Sequence, residues 1–204
     1  MLKWNRLVVV AMVAIALMST AALAQTEPTP QTHDEFMAVA KKAQDKGDHK
    51  LALELYDKAI QMRENSTEAR YGKIISYDAL GNNKATIETA GQIIKIDPNA
   101  TSAYYIRGTA YIQLQPYKTS NYKKANQDLS VAIKNAPQFD SAWINRGMSW
   151  VGQKKFNEAL EDINQAIKIK ETGGAYRARA TVYRLQGKED LAQADEKKAF
   201  QLGD

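Results

Sequence analysis

The chain predicts an all-α solenoid of about five helix–turn–helix units, on three observations. Small or apolar residues stand seven apart in five places: Ala52 and Ala59, Thr86 and Ile93, Ala125 and Ala132, Ala159 and Ala166, Ala192 and Ala199. Seven residues make about two helical turns, so each pair marks one face of an amphipathic helix. The first members follow one another at 34, 39, 34 and 33 residues, the period of a helical repeat array. Aromatic pairs with the same spacing precede three of them: Tyr104 and Tyr111, Trp143 and Trp150, Tyr176 and Tyr183. An array of this kind makes a surface that holds something. It argues against a chain that converts something.

Ahead of the array, the N-terminal residues read as an address. Lys3 and Arg6 are basic, Leu7 to Met18 is an unbroken apolar run, and Ala22-Leu23-Ala24 is a small-x-small triplet. This is the pattern of a secretory signal over 1–24, with cleavage expected between Ala24 and Gln25. The alternative is an inner-membrane anchor through residues 7–24, at the short limit for a span. Residues 25–32, with two prolines and no apolar side chain, read as a flexible leader.

Composition removes several functions. No cysteine is present, so disulfides and thiolate zinc sites are excluded. His33 and His49 are too isolated for a histidine metal site and are expected at helix starts or turns. The formal charge of +5 falls to about +3 once Lys3 and Arg6 leave with the signal. Basic and acidic residues alternate, with no Lys/Arg run longer than two. That reads as a solvated helical surface, with no nucleic acid as partner.

The fourth unit shows the layout most clearly. Ser141 to Gln153 places Trp143, Gly147 and Trp150 on one helical face. Lys154-Lys155 makes a turn. Phe156 to Ile169 then places Ala159, Leu160, Ile163, Ala166 and Ile167 on a second apolar face. A short turn makes the two helices antiparallel, and Gly147, Ala159 and Ala166 let them approach closely. The third unit repeats this, with a second helix from Tyr122 to Pro137, and so does the fifth. Gly47, Gly81 and Gly187 sit at turns; Pro98 and Pro137 stop helices.

These features together resemble the tetratricopeptide repeat family, in particular its exported bacterial members, over residues 33–204. The units run about 33–66, 67–100, 101–139, 140–172 and 173–204. The resemblance implies a right-handed superhelix whose first helices line a concave groove. Three departures stand out. The second unit carries Arg70 at the aromatic site, with Ile74 and Ile93 at small sites, and this bulk should change the local helix spacing. The third has five extra residues within Gln115 to Tyr122, either a contact loop or neutral drift. The fourth uses Lys154 where the turn glycine belongs.

By that resemblance, the positions facing the groove lie one residue beyond the buried aromatics. They are Met37, Lys41 and Gln44; Tyr71, Ile75 and Asp78; Tyr105, Thr109 and Ile112; Ile144, Met148 and Val151; Arg177, Thr181 and Arg184. The middle of this strip is apolar and its C-terminal end basic, which suits a peptide or partner helix. Several of these residues could instead pack between repeats. Only Lys41 and Asn145 suit a carboxylate clamp, so that device is expected to be absent. Arg107, Arg146 and Arg179 recur in register and are read as structural ion pairs with acids such as Asp128 and Asp162. No catalytic constellation, cofactor site or small-molecule substrate site is expected.

The reading is an exported, periplasmic, non-enzymatic adaptor that takes a protein or peptide in its groove. The alternatives are an accessory subunit of an envelope enzyme or of a secretion or assembly machine, or a homo-oligomer without a peptide ligand. Glu196 and Gln193, where earlier units carry apolar residues, favour a monomer with at most weak association through Phe200 and Leu202. Envelope protein should begin at Gln25 by N-terminal sequencing, and Ala24→Tyr should leave it about 2.5 kDa heavier. Finding Met1 would establish the anchor instead.

Overall fold

The computed structural model describes residues 30–203. The signal segment 1–24, the Ala24–Gln25 junction and most of the 25–32 leader lie outside them. Among the described residues ten helices make five antiparallel pairs: α1 (His33–Asp45) with α2 (His49–Met62), α3 (Thr67–Ala79) with α4 (Asn83–Ile96), α5 (Thr101–Gln113) with α6 (Thr119–Asn135), α7 (Asp140–Gly152) with α8 (Phe156–Ile169), and α9 (Gly173–Leu185) with α10 (Glu189–Gln201). No strand occurs among the described residues, and no helix there is long and apolar enough to cross a membrane.

Local chemistry sets the helix ends. Thr32 and Glu35 form a reciprocal capping box on α1, and Asp48, Ser66, Asn82 and Thr172 each cap a later helix through the side chain. Both histidines are the first residues of helices. Gly47, Gly81 and Gly187 turn the chain between helices with φ of 79°, 66° and 73°. Lys154 holds the same place in the fourth unit at φ 60°, a left-handed conformation that costs a side-chain-bearing residue about 1–2 kcal/mol.

All ten members of the seven-residue pairs are buried, from Ala52 to Ala199. Opposite them the first helices contribute small residues. A Cβ on Gly108 would lie 3.2 Å from the Ala125 carbonyl oxygen, and one on Gly147 3.1 Å from that of Ala159. The backbones meet at glycine–alanine crossings, and Leu129 and Ile163 fill the space beside them. The second unit reverses the volumes. Ile74 stands at the glycine site, and Ala90 stands where Leu129 and Ile163 stand in other units; both are buried in one cluster with Ile93. As the sequence suggests, its two helices pack with their backbones less closely than the other pairs.

A second repeating device joins the units. Arg146 donates to both Asp162 oxygens at 2.8 and 2.6 Å and to Ser130 Oγ, on the preceding unit, at 3.2 Å. Its guanidinium also lies over the Trp143 ring at 4.9 Å. Arg179 does the same with Asp195, with Asn164 of the preceding unit and with the Tyr176 ring. Arg107 grips Asp128 at 2.8 and 2.7 Å. Hydrogen bonding to the aspartate holds the Arg107 and Arg179 guanidiniums above their ordinary pKa, against the effect of burial. The three aspartates are buried, so these arginines are structural. In the second unit Lys73 reaches back to Asp57 instead, at 2.6 Å.

The third unit's insertion differs from the expected long turn. The α6 helix starts at Thr119 rather than Tyr122, so three residues of the insertion extend the helix. The Tyr122 ring lies directly on the Gly152 backbone of the next unit, while Tyr117 is 62% exposed. Tyr122 is therefore a packing residue. Ala159→Leu and Ala166→Leu should each destabilise the fold by about 1–3 kcal/mol, because both side chains are fully buried at crossings. Glu158→Ala, which loses only a half-exposed pair with Lys155, should stay within about 0.5 kcal/mol. Chemical denaturation of the three variants checks the order.

Candidate functional site

The first helices place most of the expected groove residues on one side of the molecule, but neighbouring units cover them unequally. Ile144, Met148 and Val151 are half-buried and pack against a cluster that includes Ile163, Ala178 and Val182. That apolar stretch packs between the fourth and fifth units and is only partly open to solvent. Ile112 is also half-buried. At the C-terminal end Arg184 is paired with Glu196 at 2.7 Å and Glu189 at 3.6 Å. Arg177 is exposed, and its carbonyl accepts from Thr181 Oγ1. The expected basic end is thus partly neutralised by α10.

The open part of the groove lies at the first three units. One hollow of about 380 Å³ sits between α1 and α3, with Met37, Lys41, Tyr71 and Ile75 in its walls. Its floor is made by Gln44, which donates to the Gly72 carbonyl at 2.9 Å and to Ser76 Oγ at 2.7 Å. Gln44 in turn accepts from the Tyr56 hydroxyl at 3.3 Å. Gly72 leaves room for that tyrosine, since a Cβ there would overlap its ring. Burial pushes the Tyr56 and Tyr71 phenols up, with neighbouring carboxylates adding to it, so both stay neutral donors at physiological pH. Gln44, read from the sequence as a groove residue, is a link between α1 and α3.

The second cleft, about 250 Å³, lies between α3 and α5. Its walls include Ile74, Ile75, Tyr105 and Ile106, with Asp78 and Thr109 among the polar lining. These two helices lack the close backbone approaches seen between α5 and α7 and between α7 and α9. The loosely packed second unit accounts for the gap: Ile74 at a glycine site keeps α3 from nestling into α4, and α5 is held against α4. Ile75 lines both hollows and is 57% exposed, an isoleucine presented to solvent on the concave side.

Tyr105 and Thr109 are fixed from behind. Asn145 Nδ2 donates to Thr109 Oγ1 at 2.9 Å and to the Tyr105 hydroxyl at 3.3 Å, and Phe139 packs on the Tyr105 ring at 4.5 Å. The Asn145 amide hydrogens are therefore engaged within the fold. Among the expected residues, the structure brings Met37, Lys41, Gln44, Tyr71, Ile75, Asp78, Tyr105 and Thr109 to the open hollows. Sequence reading missed Ile74 as a cleft wall. The signal was present in Ile74, an isoleucine at a small site.

Comparison with known proteins agrees with this architecture. A family model described as tetratricopeptide repeat matches residues 140–172, the fourth unit. The chain is similar to Tetratricopeptide repeat protein 36 of Xenopus tropicalis, 39% identical over 79 residues. That match covers 36% of this chain and spans 39% of that relative's length. MamA from Desulfovibrio magneticus RS-1 superposes with a TM-score of 0.75 at 17% identity, over 85% of this chain and 96% of that one. YrrB, described as a TPR protein with an unusual peptide-binding site, gives a TM-score of 0.67 at 18% identity, over 90% and 91%. The fold is a tetratricopeptide solenoid. It suggests a protein–protein interaction scaffold with protein or peptide partners, and proteins of this kind are typically non-enzymatic.

Proposed function

We propose that this protein is an exported adaptor that binds a peptide or helix of a partner protein in the N-terminal half of its groove, across the two hollows that flank Ile75. The exposure of Ile75 between two open clefts carries this reading, because covering it with a partner removes apolar surface from water. The fold likeness to a peptide-binding TPR protein supports the same kind of ligand. Export to the periplasm rests on the signal pattern of residues 1–24. An accessory role in an envelope machine is compatible with the same groove.

Ile75→Glu should weaken capture of a partner found by crosslinking in the envelope fraction by roughly tenfold or more, the effect of losing about 1.5–3 kcal/mol of apolar burial. Circular dichroism should be unchanged, since the side chain is exposed. Normal capture by Ile75→Glu, with loss in Tyr117→Ala, would move the contact to the insertion.

The adaptor is proposed to act as a monomer. Phe200, at 82% exposure, with Leu185, Leu191 and Leu202 leaves apolar side chains exposed in the last unit. A second copy stacked in repeat register would nevertheless gain no clamp. It would bring Val39, which holds the arginine place of the first unit, against Lys197, which holds the place of Asp57, Ser130 and Asn164. Sedimentation at micromolar concentration should show a monomer; a stable dimer that persists in Phe200→Ala would refute this.

A further inference from the structure

We infer that the cleft between α3 and α5 is a pocket for a basic side chain, lysine or arginine, of the bound peptide. The inference rests on the groove reading above and names the chemistry of one of its subsites. Four observations carry it. Ile74, Ile75, Ile106 and Ala110 give the cleft walls of hydrocarbon, which suit the methylene stem of a long side chain. Asp78 lines the same cleft, is exposed, and has no ion pair among the described residues. No other charged residue lines it.

The third observation concerns the helix ends. Asp78 lies in the last turn of α3, and Gln113, also in the cleft lining, is the last residue of α5. Neither helix has a basic residue in its last turn, whereas α1, α4, α6, α8, α9 and α10 each have one. The α3 carbonyls accept backbone N–H groups and the Gln113 carbonyl accepts from Asn83 Nδ2 at 3.4 Å, but with no cation in either last turn the two negative dipole ends add to the Asp78 charge at one place. The fourth is Thr86, which lines the cleft at 3% exposure and whose hydroxyl has no hydrogen-bond partner. Apolar walls, a free carboxylate and two negative dipole ends are complementary to an alkyl stem that ends in a cation. An acidic side chain is repelled there, and a purely apolar one leaves Asp78 unmatched.

The test is a titration of the 15N-labelled chain with N-acetyl-lysine amide, N-acetyl-arginine amide, N-acetyl-norleucine amide and N-acetyl-glutamate amide, followed by amide chemical shifts. Saturable shifts at Ile75, Thr86, Ile106 and Ala110 are expected with the lysine or arginine probe, bound about fivefold more tightly than norleucine. The glutamate probe should give no saturable shift there. Asp78→Asn should abolish the preference over norleucine while leaving the rest of the spectrum in place. Equal binding of norleucine, survival of the preference in Asp78→Asn, or no saturable shift with either cationic probe would overturn the inference. The two readings separate cleanly. If Ile75→Glu loses the partner while Asp78→Asn keeps the probe preference, the groove stands and the basic pocket falls. If Ile75→Glu captures normally while the cationic probes still depend on Asp78, the groove reading falls and the pocket stands.

Discussion

Close approach of helix backbones is the constraint on which this solenoid depends. Each unit can stack only if its two helices cross where side chains are no larger than alanine or are matched by a small residue opposite. Gly108 and Gly147 sit within van der Waals reach of carbonyl oxygens on α6 and α8, which leaves no room for a larger residue without moving backbone. The second unit shows the constraint from its other side. Placing Ile74 on α3 and Ala90 on α4 keeps both residues buried, but the volume now stands on the helix that faces the groove. The pair packs less closely, and a cleft opens between α3 and α5. A packing exchange in the core thus becomes a surface feature at the site.

The arginine clamps divide the molecule into two halves with different properties. In the third to fifth units each guanidinium holds a buried aspartate of its own unit, and Arg146 and Arg179 also reach a polar residue of the unit before. Bidentate geometry with an aromatic ring beneath it fixes orientation as well as distance. In the first unit the corresponding places are Val39 and Leu55, part of an apolar cluster with no directional bond. The second has only Lys73 with Asp57, on a side chain without the planar fork. In the clamped half the groove is lined by half-buried Ile144, Met148 and Val151, and the open hollows border the unclamped units. The directional clamps and the open hollows are thereby weighted toward opposite ends of the array, and α5 takes part in both.

How much of this was legible in the sequence follows from the range of each interaction. The repeat phase, the buried pairs and the place of Lys154 at a glycine turn are local in origin and legible directly. The Arg107–Asp128 and Arg146–Asp162 pairs were legible because they recur in register. What stayed hidden depends on the neighbouring unit. Periodicity says which face of α7 is apolar, but not that Ala178 and Val182 of α9 will help cover Ile144 and Met148. Likewise Arg184 reads as a free cation until α10 folds back and sets Glu196 beside it. The Tyr122 ring finds Gly152 through a contact between units that no spacing within either unit reveals. The same limit applies to the site: Ile75 and Met148 occupy equivalent positions, yet Ile75 is exposed beside the gap between α3 and α5 while Met148 is half-buried against the next unit.

Magnitudes decide what kind of recognition such a groove provides. An exposed carboxylate such as Asp78 contributes about 0.2–1 kcal/mol to an ion pair, and this weakens further with salt. Apolar burial on Ile75 is worth more, about 1.5–3 kcal/mol for a well-covered side chain, but it does not distinguish one apolar residue from another. Affinity therefore comes from covering Ile75 and the hollow walls, and selectivity from the charge at the end of the α3–α5 cleft. A residue that supplies both an alkyl stem and a cation satisfies the two requirements with one side chain. Tyr105 and Thr109, held from behind by Asn145 and Phe139, give that cleft a fixed wall, so little ordering entropy is lost there on binding. The affinity of one subsite of this kind is modest. A partner held firmly must engage both hollows at once, and Ile75, which lines each of them, is the residue that any such ligand has to cross.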